Sequence, residues 1–111
     1  MDDTQLAHRL SRDLDGTFES LVHAHVDRCH AIAHRMTGNP HDAEEIAQDA
    51  LVRAYRALST YDPDRIRDLR IRPWLATIVL NLFRNRARLR HTPTTPLDTL
   101  VEAGHEPSAG P

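Results

Sequence analysis

The chain has no lysine, a single cysteine, a single tryptophan and no long apolar run. Each shortage removes a class of protein. Cys29 has no partner within the chain, so no intrachain disulfide can staple the fold, and a reducing cytoplasm is the simplest compartment for it. A membrane-spanning helix needs about 18–20 consecutive apolar residues, and no stretch approaches that. The N-terminus, MDDTQLAHRL, is acidic and lacks the apolar centre of a signal peptide. Apolar residues nowhere alternate with period two over a useful length, which argues against strands, and no segment repeats. All fourteen basic residues are arginine. Codon usage in a GC-rich genome is the simpler source of that bias, and selection for bidentate phosphate recognition the functional one.

With 111 residues the chain has room for one domain, whose core is modest but sufficient for three or four helices. Its charge is segregated by position. Residues 1–64 carry six arginines against twelve acids, whereas residues 65–90 carry eight arginines against Asp68 alone. The net charge of −2 therefore hides a strongly basic segment beside an acidic one. A basic helix of this kind is the electrostatic footprint of a nucleic-acid contact.

Helical periodicity runs along most of the chain, so the expected fold is all-α, a compact bundle of three to four helices with a flexible tail. Leu6, Leu10 and Leu14 define a short first helix, open to fraying, that ends at Asp15-Gly16. Thr17 is the expected cap of a second helix, with Phe18, Leu21, Val22, Val26, Cys29, Ala33 and Met36 on one stripe and Gly38-Asn39 as the stop. Pro40, with Asp42 and Glu45 at capping-box spacing, opens a third, buried through Ala43, Ile46, Ala47, Ala50, Leu51, Ala54, Tyr55 and Leu58. Arg65 to Arg72 reads either as a short helix or as a loop. Pro73 suits an early turn of the last helix, whose core stripe is Leu75, Ile78, Val79, Leu82, Phe83 and Leu89. The expected organisation is a short N-terminal helix over 1–16, a helical domain over 17–91, and a Pro/Gly-rich linker over 92–111 in which only Leu97, Leu100 and Val101 could dock.

Two surfaces stand out. Opposite the apolar stripe of the third helix lie Glu45, Gln48, Asp49, Val52 and Arg56. A solvated face is the plain reading of such a run. A small apolar contact point, Val52, among charges with no compensating arginine before Arg53 is the reading that favours a partner. On the last helix Thr77, Asn81, Arg84 and Arg88 share a face away from the core, flanked by Asn85, Arg86 and Arg90. Arginine reads guanine edges or clamps phosphates, asparagine reads adenine edges, and threonine contacts either backbone or base. Arg65, Arg67, Arg70 and Arg72 make the preceding loop a positive rim. Trp74 serves either as a core anchor or as a platform for an unpaired base.

From Phe18 to about Arg90 the words AHRMTGNPHDAEEIAQDALVRAYRAL, YDPD and PWLATIVLNLFRNRARLR resemble region 2 of the sigma-70 family, specifically the extracytoplasmic-function (ECF) sigma factors of bacteria. The resemblance implies a non-enzymatic, cofactor-free protein of transcription initiation, acting in the cytoplasm at the nucleoid. It implies that Asp42, Glu45, Gln48 and Asp49, with Val52 and Arg56 on the same face, dock on the clamp helices of the largest subunit of core RNA polymerase. Tyr61 to Arg72 match the loop that captures a base flipped from the single-stranded −10 promoter element, and Trp74 to Arg90 match the helix that opens its upstream edge. Melting would then be driven by preferential binding of the single strand. Asn85 stands where the family usually has aspartate, and Ala50-Leu51 replace a commoner apolar or aromatic pair. The family's second, −35-binding domain is expected to be missing, since the chain stops where the linker to it would begin.

Two other readings remain open from the residues. His23, Asp27, His30 and His34 share a helical face, with an i, i+4 histidine pair of the kind zinc enzymes use, but without the carboxylate of an H-E-x-x-H arrangement. Alternatively the domain is an interaction module whose arginine helix is held by an acidic anti-sigma factor, with no promoter activity of its own.

Overall fold

The computed structural model describes residues 1–91, which form α1 (Asp3–Arg12), α2 (Leu14–Thr37), α3 (Pro40–Thr60), α4 (Pro63–Arg67) and α5 (Ile71–His91) and, among the described residues, no strand. The expected linker over 92–111, with Leu97, Leu100 and Val101, lies outside them, as does the side chain of Arg90.

Each boundary has a local cause. Asp2 caps α1 by accepting from the Gln5 N–H at 2.8 Å, while the Gln5 side chain accepts from the Asp2 N–H at 3.1 Å, a reciprocal capping box. The break between α1 and α2 falls at Asp13, earlier than the expected stop at Asp15-Gly16. Asp13 turns its carboxylate back onto the Gly16 N–H at 3.0 Å, so Gly16 belongs to the first turn of α2. A Cβ on Gly16 would lie 2.1 Å from Asp13 Oδ2, so a larger residue there would make the capping carboxylate shift. Thr17, the expected cap, is instead buried, its hydroxyl 3.4 Å from the Arg9 carbonyl. Gly38 ends α2 in the left-handed region at φ 66°, its N–H bonding the His34 carbonyl at 2.8 Å. Asn39, expected only as a stop signal, caps α3 by accepting from the His41 and Asp42 N–H groups, so Asp42 is a first-turn residue and not the cap. Asp62 caps α4 through the Arg65 N–H at 2.8 Å, with Pro63 opening the helix.

α2 and α3 pack along one another, α5 lies across both, and α1 sits on α4 and α2. Leu21, Cys29 and Ala33 of α2 meet Ala43, Ile46, Ala47, Ala50, Ala54 and Leu58 of α3 in a core completed by Ile71, Leu75, Val79 and Leu82 of α5. The alanine-rich stripe of α3 allows that close approach, because small side chains keep the helix axes near. α1 is seated rather than frayed: Leu6, Ala7 and Leu10 are all in the same core, and Ile66 of α4 joins them. Two stripe residues depart from expectation. Tyr55 is turned to the surface against Phe18, ring centroids 5.2 Å apart and edge-on, and Leu89 near the end of α5 stands 40% exposed. Arg65 to Arg72 resolves into the end of α4, a short turn over 68–70 and the start of α5, whose first turn closes through the Trp74 N–H on the Arg70 carbonyl at 3.1 Å.

Candidate functional site

The positive rim is built by α4 and the first turn of α5. Tyr61, just before α4, lies half-buried, with the Arg65 guanidinium 3.7 Å above its ring centre. Trp74 approaches from α5 with its ring centre 6.3 Å from that of Tyr61, tilted by 59°, and its indole N–H lies 3.4 Å from the Tyr61 hydroxyl. Trp74 packs against the core and stays half-buried, as the core-anchor reading expects. The sequence-predicted residues Tyr61, Arg65 and Trp74 thus come together in one aromatic nook. The other rim arginines spread around it. Arg67 pairs with Asp64, Arg72 lies 3.8 Å from Asp3, and Arg70 points to solvent.

Along α5, Thr77 and Arg84 are exposed and Asn81 half-buried on one face. Thr77 donates back to the Pro73 carbonyl at 2.9 Å, which holds its hydroxyl close to the helix. Arg88 follows on the same face and reaches back to Asn85 Oδ1 at 3.2 Å. Arg86 behaves differently. Helical geometry sets it about half a turn from that row, and it crosses to α3 to pair with Glu45 at 3.2 Å.

The outer face of α3 presents Gln48 and Arg56 to solvent, with Asp42 and Asp49 half-buried and Val52 48% exposed. Its carboxylates are less bare than the sequence suggests. Glu45 is met by both Arg86 and His41, and Asp49 lies 3.7 Å from Arg53. The compensation for Glu45 comes from α5, 41 residues away, and no helical spacing on α3 signals it.

Outside these surfaces, Asp15 accepts from the Tyr55 hydroxyl, and that hydrogen bond, with the carboxylate's charge behind it, raises the phenol above its ordinary value. Burial pushes the Cys29 thiol up, partly offset by Arg28. His30 and His34 stack with parallel rings 6.2 Å apart, and His23 turns to Glu19 at 3.6 Å. Among the described residues no three His, Cys, Asp or Glu side chains converge on a point where a metal ion could sit, so the α2 face offers the metal reading no ligand set.

The family model for sigma-70 region 2 matches residues 21–92, from the middle of α2 through α5. The chain belongs to the sigma-70 region 2 family. This region 2 domain is 36% identical over 78 residues to the ECF RNA polymerase sigma factor SigE of Mycolicibacterium smegmatis, a match covering 67% of the chain and 28% of that relative. It is 37% identical over 71 residues to the ECF RNA polymerase sigma factor SigW of Bacillus subtilis, covering 64% of the chain and 36% of the relative. With the RNA polymerase sigma factor NccH of Alcaligenes xylosoxydans xylosoxydans the identity is 37% over 89 residues, covering 79% and 45%. The chain therefore spans less than half the length of each of these relatives. No solved structure matches it significantly. The ECF-type resemblance and the all-α fold read from the sequence both hold. No helix among the described residues is long and apolar enough to cross a membrane.

Proposed function

We propose that this region 2 domain serves bacterial transcription initiation by joining core RNA polymerase to promoter DNA, without chemistry of its own. The α3 face of Asp42, Glu45, Gln48, Asp49, Val52 and Arg56 is the polymerase surface, fitted to the clamp helices of the largest subunit. The rim of Tyr61, Arg65, Arg67, Arg70 and Arg72, with Trp74, Thr77, Asn81, Arg84 and Arg88 of α5, is the surface for the single-stranded −10 element. The observation that carries the reading is the aromatic nook of Tyr61, Arg65 and Trp74 at the head of the arginine row on α5. Aromatic and guanidinium planes stack on unpaired bases while arginines beside them take the phosphates, which is the chemistry of single-strand capture. So many like charges on neighbouring elements repel one another, and a bound polyanion relieves that repulsion.

The test combines two binding measurements on the full chain. Gln48→Ala with Asp49→Ala is expected to abolish capture by purified bacterial core RNA polymerase while leaving the circular-dichroism spectrum and DNA binding intact. Wild-type chain is expected to prefer a single-stranded −10-like oligonucleotide over a scrambled one, with steep salt dependence. Undiminished capture of the double variant refutes the polymerase face. Absence of any DNA preference refutes the promoter surface and leaves the arginines to an acidic protein partner such as an anti-sigma factor.

A further inference from the structure

α1 lies outside the segment that the family model matches, yet one of its side chains reaches the rim. Asp3, in the first turn of α1, accepts a hydrogen bond from His25 Nε2 at 2.9 Å through Oδ1. His25 is 3% exposed, on the core stripe of α2, so this donor is itself fixed by packing. A carboxylate only accepts, hence Nε2 carries the proton, and Nδ1 is left without a partner in the core. The second oxygen of Asp3, Oδ2, faces Nε of Arg72 at 3.8 Å. Arg72 is in the first turn of α5, two residues before Trp74, and its side chain is 63% exposed.

We propose that Asp3 is a positioning residue for the promoter-facing rim: clamped by buried His25, it orients Arg72 so that the outer edge of the guanidinium meets a DNA phosphate. The inference rests on the promoter reading above. Its basis is that Asp3 links a buried histidine to an arginine that is still exposed. Asp3 meets Arg72 at Nε, and the Arg72 side chain stays 63% exposed, so the guanidinium remains open to a phosphate. Packing agrees with this role. α1 rests on α4, and Leu6, Ala7 and Leu10 share the core with Ile66, so the whole rim is braced from beneath by α1. Orientation of a long side chain in advance spares part of the ordering cost on binding.

The experiment is fluorescence anisotropy of the full chain with a labelled, mixed-sequence single-stranded DNA oligonucleotide at low salt. Asp3→Asn keeps an oxygen for His25 and removes the charge that steers Arg72. It is expected to weaken binding by about two- to five-fold, the range open to an exposed ion pair, with the thermal midpoint and polymerase capture unchanged. In an Arg72→Gln background the same substitution is expected to have no effect. Equal or tighter binding by Asp3→Asn overturns the proposal, because Asp3 is then only a competing negative charge. A weakening that persists in the Arg72→Gln background overturns it as well. Should Asp3→Asn lower the thermal midpoint, Arg72→Lys decides instead. Lysine keeps the charge without the planar side edge and is expected to bind nearly as weakly as Arg72→Gln, so wild-type affinity from it sinks the idea. A folded wild-type chain that fails to bind the oligonucleotide refutes the promoter reading itself, and this inference with it.

Discussion

Replacing Leu10 by alanine is the sharpest measure of whether α1 is part of the domain or an appendage to it. Leu10 is 1% exposed and shares its cluster with Leu6, Ala7 and Ile66. The substitution removes three carbons, about 2.4 kcal/mol of transfer free energy at about 0.8 kcal/mol per buried methylene. The incompletely collapsed cavity adds to that, so the expected loss is about 3 kcal/mol, inside the range of about 2–5 kcal/mol for buried leucines. For a domain of this size about 1 kcal/mol moves the melting temperature by about 4–8 °C, so a fall of more than about 10 °C is expected. Urea denaturation followed by circular dichroism measures it directly, with Leu89→Ala as the comparison. Leu89 is 40% exposed on α5, and its truncation should cost less than about 1 kcal/mol. A loss below about 1 kcal/mol for Leu10→Ala, equal to that of Leu89→Ala, would mean that α1 frays and does not carry the core. The brace argued for Arg72 would then lose its footing too.

Arg84→Ala together with Arg88→Ala should lower the slope of log affinity against log salt for single-stranded DNA by about 1.4, at about 0.7 for each phosphate that is no longer neutralised. An unchanged slope in an anisotropy titration would mean that neither arginine touches phosphate. Ultraviolet titration should show Tyr55 ionising above the ordinary tyrosine value of about 10, since the hydrogen bond to Asp15 favours the protonated phenol. A phenol whose value is raised in the folded chain adds stability that is complete below about pH 10 and is lost as pH rises through the folded value. Asp15→Asn should bring the titration back toward the ordinary value. A curve that does not move would refute the Tyr55–Asp15 link.

Which residues form helices was legible along the chain, because the 3.6-residue recurrence of apolar side chains is a local property and the core stripes of α2, α3 and α5 repeat it cleanly. The spaced words from Phe18 to Arg90 likewise carried the family, and the segregated charge marked α4 and α5 as the basic surface. Helix ends were less legible. Asp13 and Asp15 are equally good capping residues by type, and only the backbone path chose Asp13. Tyr55 and Leu89 sit on their stripes by spacing, yet stand exposed, Tyr55 at the edge of α2 against Phe18 and Asp15. Contacts between residues far apart in the chain were beyond any reading of spacing. Glu45 with Arg86, and Asp3 with His25 and Arg72, each depend on where one helix crosses another. Periodicity says which face of a helix is buried. The crossing of the helices, settled by the summed packing of all their apolar faces, decides which charges meet.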